Sequence, residues 1–315
     1  MHSGADRTRL RVVVNARGRH GRACLAIIAS IAVCACWVSA APQASSSVDA
    51  LIMQVGERIT DYYRRAQGVI CVEQSTVQPI QSNWAPEGFA RTVESELRVD
   101  TEPEDGDPVV DAKVIRDIRR INGRAPHERD KKDRNGCTDP APLSPDPLAF
   151  LLPVHRSEYE FTSVRDGKEK DRAALIIDFM STNRTSRLEL REDERGHADC
   201  FDWSGPIATR GRVWVDAKTH DVLRVDRRID GIVDVRVPWK LQRRYHLPPW
   251  VVLERDDLTL RYKAVAFSDP DEVIVLPESL ESLTVLRGPL QSIRRTETFS
   301  SYRRFLTTGR VVKDP

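Results

Sequence analysis

From Phe89 to Phe305 the chain alternates apolar and polar residues over one short stretch after another. That is the period of a half-buried β-strand, and it constrains the fold more than any other feature. Phe89, Arg91, Val93, Ser95, Leu97 and Val99 interleave with Ala90, Thr92, Glu94, Glu96 and Arg98. Val114, Ile115 and Ile118 lead to Asn122-Gly123, a tight-turn signal. Tyr159 to Phe161 and Leu175 to Phe179 flank a charged turn at Asp166-Gly167, and Leu188 to Leu190 is a short strand. Gly211 to Asp216 and Val222 to Asp226 flank a polar loop. Leu258 to Tyr262, Val273 to Leu276 and Ile293 to Phe305 finish the series. Roughly ten strands with hairpin-length links predict an antiparallel sheet or barrel. No strand–helix–strand alternation supports a doubly wound fold.

One segment breaks the period. Val48, Leu51, Ile52, Val55, Ile59, Tyr62 and Tyr63 fall at three- and four-residue steps, an amphipathic helical stripe entered by Ser46 or Ser47 and running to about Arg65. Farther on, Val213, Val215, Leu223, Val225 and Ile229 are expected on one sheet face, with Trp214 and Arg224 on the other. Pro147 to Leu152 reads as a short apolar turn, and residues 238–250 as a loop, because Pro248-Pro249 does not fit a sheet interior. The fold expected is mainly β (α+β): a curved antiparallel sheet, or half-barrel, wrapped around an N-terminal helix.

Before that helix, residues 1–22 carry six Arg and one Asp, residues 23–38 are uncharged and apolar, and Val38-Ser39-Ala40 ends the run with small residues. This is the order of a secretory signal peptide over 1–40, followed by one β-rich domain over 41–315. An uncleaved anchor is the main rival. Export places the protein in the periplasm or at the cell envelope. The whole chain has 49 Lys+Arg and 47 Asp+Glu. Without the six Arg and one Asp of the leader, 43 basic and 46 acidic residues remain, so basicity gives no support to nucleic-acid binding.

Cys71, Cys137 and Cys200 also remain. In an oxidising compartment one disulfide and one thiol are expected: Cys137 with Cys200, both in polar loops, and Cys71 buried in an apolar stretch. Alternative pairings stay open. His197, Cys200, Cys137 and His155 make a weak metal set, which the disulfide would consume. No hydrolase, phosphate-loop or dinucleotide fingerprint stands out, so no catalytic residue, cofactor or metal is expected. Trp239, Arg243, Arg244, Tyr245 and Trp250 form an aromatic and basic segment, a candidate contact surface for a partner protein or anionic head groups beside the plainer reading of a solvated loop.

Leader, helix and long antiparallel sheet, in that order, resemble the LolA/LolB-like lipoprotein-carrier family. The text GRVWVDAKTHDVLRVD (211–226) looks like its strand–turn–strand unit. VLPESLESLTV (275–285) followed by SSYRRF (300–305) resembles the closing strands of uncharacterised envelope proteins with that half-barrel. The resemblance spans residues 45–312. It implies a half-barrel with a helical lid, enclosing a cavity for a lipid or lipoprotein acyl chain, and no enzymatic activity. The alternative is a structural or protein-interaction module of the envelope whose concave face is filled by its own side chains.

Overall fold

A computed structural model describes residues 43–66, 68–101, 112–127, 147–192 and 201–304. Helix α1 (Gln43–Ala66) precedes thirteen strands, and the described residues are mostly antiparallel sheet. The strands are β1 (Val69–Ile80), β2 (Arg91–Thr101), β3 (Ala112–Ile121), β4 (Tyr159–Glu169), β5 (Arg172–Ser181), β6 (Leu188–Glu192) and β7 (Phe201–Ser204). They continue as β8 (Thr209–Asp216), β9 (Val222–Ile229), β10 (Val233–Arg236), β11 (Trp250–Ser268), β12 (Asp271–Arg287) and β13 (Ser292–Arg304). A short helix, α2 (Trp239–Tyr245), lies between β10 and β11, and two 3-10 turns (Ala149–Leu151, Pro153–Glu158) precede β4.

The main path of the open, curved sheet is β3-β2-β1-β13-β12-β11-β9-β8-β5-β4, all antiparallel. Strand β10 continues along β11 beyond β9 and pairs in parallel with β6, which carries β7. Strands β11 and β12 are 19 and 17 residues long. Register shifts at Leu253/Arg255 and at Arg261/Tyr262 bend them, since an extra residue in one strand kinks the pair. Pro277 sits at the second shift, where a missing N–H is tolerated.

Helix α1 forms because its apolar stripe has one sheet face to cover. Val48, Leu51, Ile52, Val55, Ile59 and Tyr63 are buried there with Val213, Val215, Val225, Leu260, Leu280 and Phe299. Arg64 and Arg65 occupy its last turn, where cations complement the helix dipole. Gly56 lets the helix approach the 3-10 turn, since a Cβ there would sit 3.1 Å from the Leu151 carbonyl oxygen. The helix begins at Gln43, ahead of the Ser46 or Ser47 cap expected.

Several local expectations are corrected. The turn between β4 and β5 falls at Lys170-Asp171, because Glu169 already pairs with Arg172. Gly167 lies inside β4, where the Ile176 side chain occupies the space a Cβ would take. Leu223 is the extra residue of a bulge, since Trp214 faces Arg224 and Val215 faces Val222. It therefore packs with Trp214 and Ala174 on the outer face, where Arg224 stacks 4.5 Å from the Trp214 ring. Phe89 precedes β2 and is 97% exposed. Residues 239–245 are helical, not loop.

Candidate functional site

The concave face beneath α1 is the place to look for a ligand. Phe150 from the first 3-10 turn lies 4.5 Å from Phe179 and 5.4 Å from Tyr159, centroid to centroid, and Phe161 joins the stack. Leu148, Leu151 and Leu152 are buried beside them. Under the C-terminal half of α1, Tyr62 meets Tyr262 edge to face at 6.4 Å. The space left between Ile59, Tyr62, Val222, Tyr262 and Ile274 measures about 20 Å³. That holds about one water molecule.

Beyond this apolar zone the same face turns polar. On β1 the inward positions are Cys71, Glu73, Ser75 and Val77. Glu73 is fully buried, and Arg116 of β3 clamps it through Nε at 2.5 Å and Nη2 at 2.7 Å. Two parallel charge-assisted bonds suit a guanidinium facing a carboxylate. Glu297 of β13 faces Ser75 across the ladder, and the Ser75 hydroxyl donates to its Oε1 at 3.4 Å. Its Oε2 is buried and has no hydrogen-bond partner among the described residues. Burial, then the nearby Glu73 charge, push the Glu297 carboxyl up to about 7. Cys71 is a free, buried thiol, pushed up to about 12 by burial and then by Glu73. Sequence reasoning missed this row because Glu and Ser at inward positions break the polarity alternation that identifies a strand.

A second apolar cluster lies farther along the concave face. The register shift leaves Glu254 as the extra residue of β11, so Leu253 and Leu260 point to the same side. Leu253 packs with Val251, Val233, Val235, Leu188 and Leu190, and Leu241 of α2 covers them. Ile229 shares the face of Val213 and Val225, as expected, and packs in this second cluster.

The five aromatic and basic residues of the candidate contact segment all lie at this end of the sheet. Trp239 and Trp250 are 61% and 54% exposed. The Val237 N–H donates to the Pro249 carbonyl at 2.9 Å, which draws the two ends of the segment together. Arg243 stacks 5.8 Å from the Trp239 ring. Arg244 pairs with Glu192 at 2.7 Å, and the Tyr245 hydroxyl donates to the same carboxylate at 2.9 Å. Tyr245 also meets Phe201 edge to face at 5.0 Å. Cys137, Cys200 and His197 lie outside the described residues. His155 pairs with Glu158 at 2.9 Å, and among the described residues no three metal-ligating side chains cluster.

Three further clefts among the described residues are larger and open: one, of about 210 Å³, lies beside Phe150, Tyr159, Phe179 and Arg227, and two are grooves lined by charged side chains. One groove, of about 460 Å³, runs over the outer face along a cross-strand row of Asp178, Arg212, Asp226 and Thr259. Arg165, then Ser163 and Arg212, hydrogen-bond the Asp178 carboxylate and hold it down at about 2. The other, of about 750 Å³, is lined by Arg184, Arg187, Ile232, Arg236 and Trp250 among others. No helix among the described residues is long and apolar enough to cross a membrane.

No protein-family model matches this sequence, and no curated protein matches it either. Among solved structures, the chain is similar to a putative outer membrane lipoprotein-sorting protein domain from Vibrio parahaemolyticus. The identity is 13% and the TM-score 0.32, over 81% of this chain and 93% of that one. It is also similar to a LolA superfamily protein from Nitrosomonas europaea, at 10% identity and a TM-score of 0.29, over 81% and 94% of the two chains.

Proposed function

We propose that this protein is an exported, non-enzymatic envelope protein that works as an interaction module, with a leader over 1–40 and one domain over 41–315. Its half-barrel is plugged by its own helix, and the Trp239–Trp250 segment is its contact surface. The observation that carries this reading is the packing of α1 on the concave face, where, among the described residues, the cleft between Ile59, Tyr62, Val222, Tyr262 and Ile274 measures about 20 Å³ and the one beside Phe150, Tyr159 and Phe179 about 210 Å³. A pocket for a ligand of drug or acyl-chain size begins near ~300 Å³. An acyl chain would have to displace Phe150, Phe179 or α1 itself, and each buried aromatic or aliphatic side chain moved into water costs roughly 1.5–3 kcal/mol.

The buried carboxylates do not argue for catalysis. Glu73 and Glu297 are 0% and 1% exposed, so a substrate has no access to them while the sheet is intact. Glu73 is fully engaged by Arg116. They act instead as a polar seam that fixes the pairing of β1 with β3's neighbour β2 and with β13.

Lipid extraction and mass spectrometry of the protein purified from its host's envelope test the reading. The expected result is no lipid near molar equivalence. An acyl chain recovered at one per protein across preparations would replace this reading with that of a carrier.

A further inference from the structure

The four exposed aromatic side chains among the described residues, Trp84, Phe89, Trp239 and Trp250, all lie toward one end of the sheet. The register shows this: Ile80 of β1 pairs with Ser292, and Arg287 of β12 pairs with Val252, so the loop after β1 leaves from the end where β11 begins. Arg255 of β11 stacks 4.8 Å from the Trp84 ring, which ties that loop to β11. The 19 residues from Val235 to Leu253 contain Arg236, Lys240, Arg243, Arg244 and His246 and not one Asp or Glu. Lys240, Arg243 and Arg244 are exposed on α2. Acids do reach this end: Glu192 is held by Arg244, Glu254 by Arg287 and Glu189 by Arg236, while Asp234 is exposed beside Val252 and Glu87 lies in the loop with Trp84.

We infer that this end of the sheet rests on an anionic phospholipid surface, with the Trp rings at head-group depth and Lys240 and Arg243 facing the phosphates. The inference rests on the reading of the Trp239–Trp250 segment as the contact surface. Trp is suited to a membrane boundary because its ring body is apolar while its N–H prefers a wet partner. Lys and Arg extend alkyl stems along apolar surface and keep their charge at the phosphates. A protein partner fits less well. The basic stretch is uninterrupted by acids, and the rings are spread over two separate segments instead of meeting in one pocket. Leu241 anchors α2 to the second apolar cluster, so the patch is presented on a packed base.

The test is co-sedimentation of the processed protein, as purified from its host, with vesicles of phosphatidylcholine alone or with 40% phosphatidylglycerol. Binding is expected to the anionic vesicles, to weaken as salt rises, and to be weak on phosphatidylcholine. The double variant K240Q/R243Q should bind anionic vesicles roughly 30-fold more weakly, at about fivefold per cation near such a surface. W239A/W250A should lose most binding while keeping the wild-type circular dichroism, since both rings are exposed. No binding to either vesicle, equal binding to both, or unchanged binding by both variants would overturn the inference. So would a protein partner that binds through these residues while vesicles do not, although the segment would then remain a contact surface.

Discussion

Glu297→Gln removes a buried carboxyl whose Oε2 has no hydrogen-bond partner among the described residues and whose Oε1 lies 3.9 Å from Arg295. In the folded chain the Glu297 carboxyl titrates near 7, against an ordinary value of 4.5, chiefly because it is buried. Its folded pKa is raised, so between pH 4.5 and 7 the folded state holds a proton that the unfolded chain has released. Stability then falls as pH rises through that window. The difference between 4.5 and about 7, at 1.36 kcal/mol per pH unit, amounts to about 3 kcal/mol lost by neutral pH. Glutamine keeps the shape and one acceptor but does not ionise. The variant should match the wild type near pH 4.5 and exceed its stability by up to about 3 kcal/mol above pH 7. Asp178 has the opposite sign: its folded value near 2 makes its contribution disappear only as pH falls from about 4 toward 2, outside the window. Urea unfolding followed by tryptophan fluorescence at several pH values from 4.5 to 8 reads the difference. If wild type and variant keep a constant separation across that range, the burial argument for Glu297 is wrong.

Three further outcomes follow from the packing. Arg116→Met leaves the buried Glu73 carboxyl without its partner and should cost about 3–5 kcal/mol, whereas E73L/R116M should recover most of that in the same urea assay. Gly211→Ala places a Cβ 1.9 Å from the Asp226 carbonyl oxygen and 2.7 Å from the Phe179 ring. Both must move, so a loss of at least about 2–3 kcal/mol is expected in thermal melts, and an unchanged melting temperature would refute the close approach. Cys71, 4% exposed and with its thiol pushed up to about 12, should resist iodoacetamide in the folded protein and react after unfolding, as peptide mass spectrometry can show.

The fold was legible where polarity followed geometry. The stripe from Val48 to Tyr63 reads as a helix and is buried as one, because nothing in it competes with the three- and four-residue spacing. Strands β8 and β9 read as a pair because GRVWVD and VLRVD flank a short polar loop. Strand β1 was hidden because Glu73 and Ser75 face inward and are satisfied by partners 43 and 222 residues away. No local pattern encodes such partners. Leu223 was assigned to the wrong face because a bulge resets the period, and nothing in VLRVD marks where the extra residue will fall. Phe89 shows the reverse error: an apolar residue in correct phase with a strand that begins two residues later. The contact segment was legible as composition, but its helical form was not. Pro248-Pro249 marked a break, and the break falls after α2, so the seven residues Trp239–Tyr245 were free to form a helix that packs Leu241 on the second apolar cluster.

The reading of this protein as an interaction module and not a carrier depends on α1 being a plug and not a lid. Amide hydrogen exchange on the native protein measures that directly. If the helix fills the concave face, its central amides around Ile52, Val55 and Ile59 should open with free energies close to those of β1 and β13, and added phospholipid should leave them unchanged. Exchange in α1 faster by several orders of magnitude than in those strands, or protection gained only when lipid is present, would contradict the account.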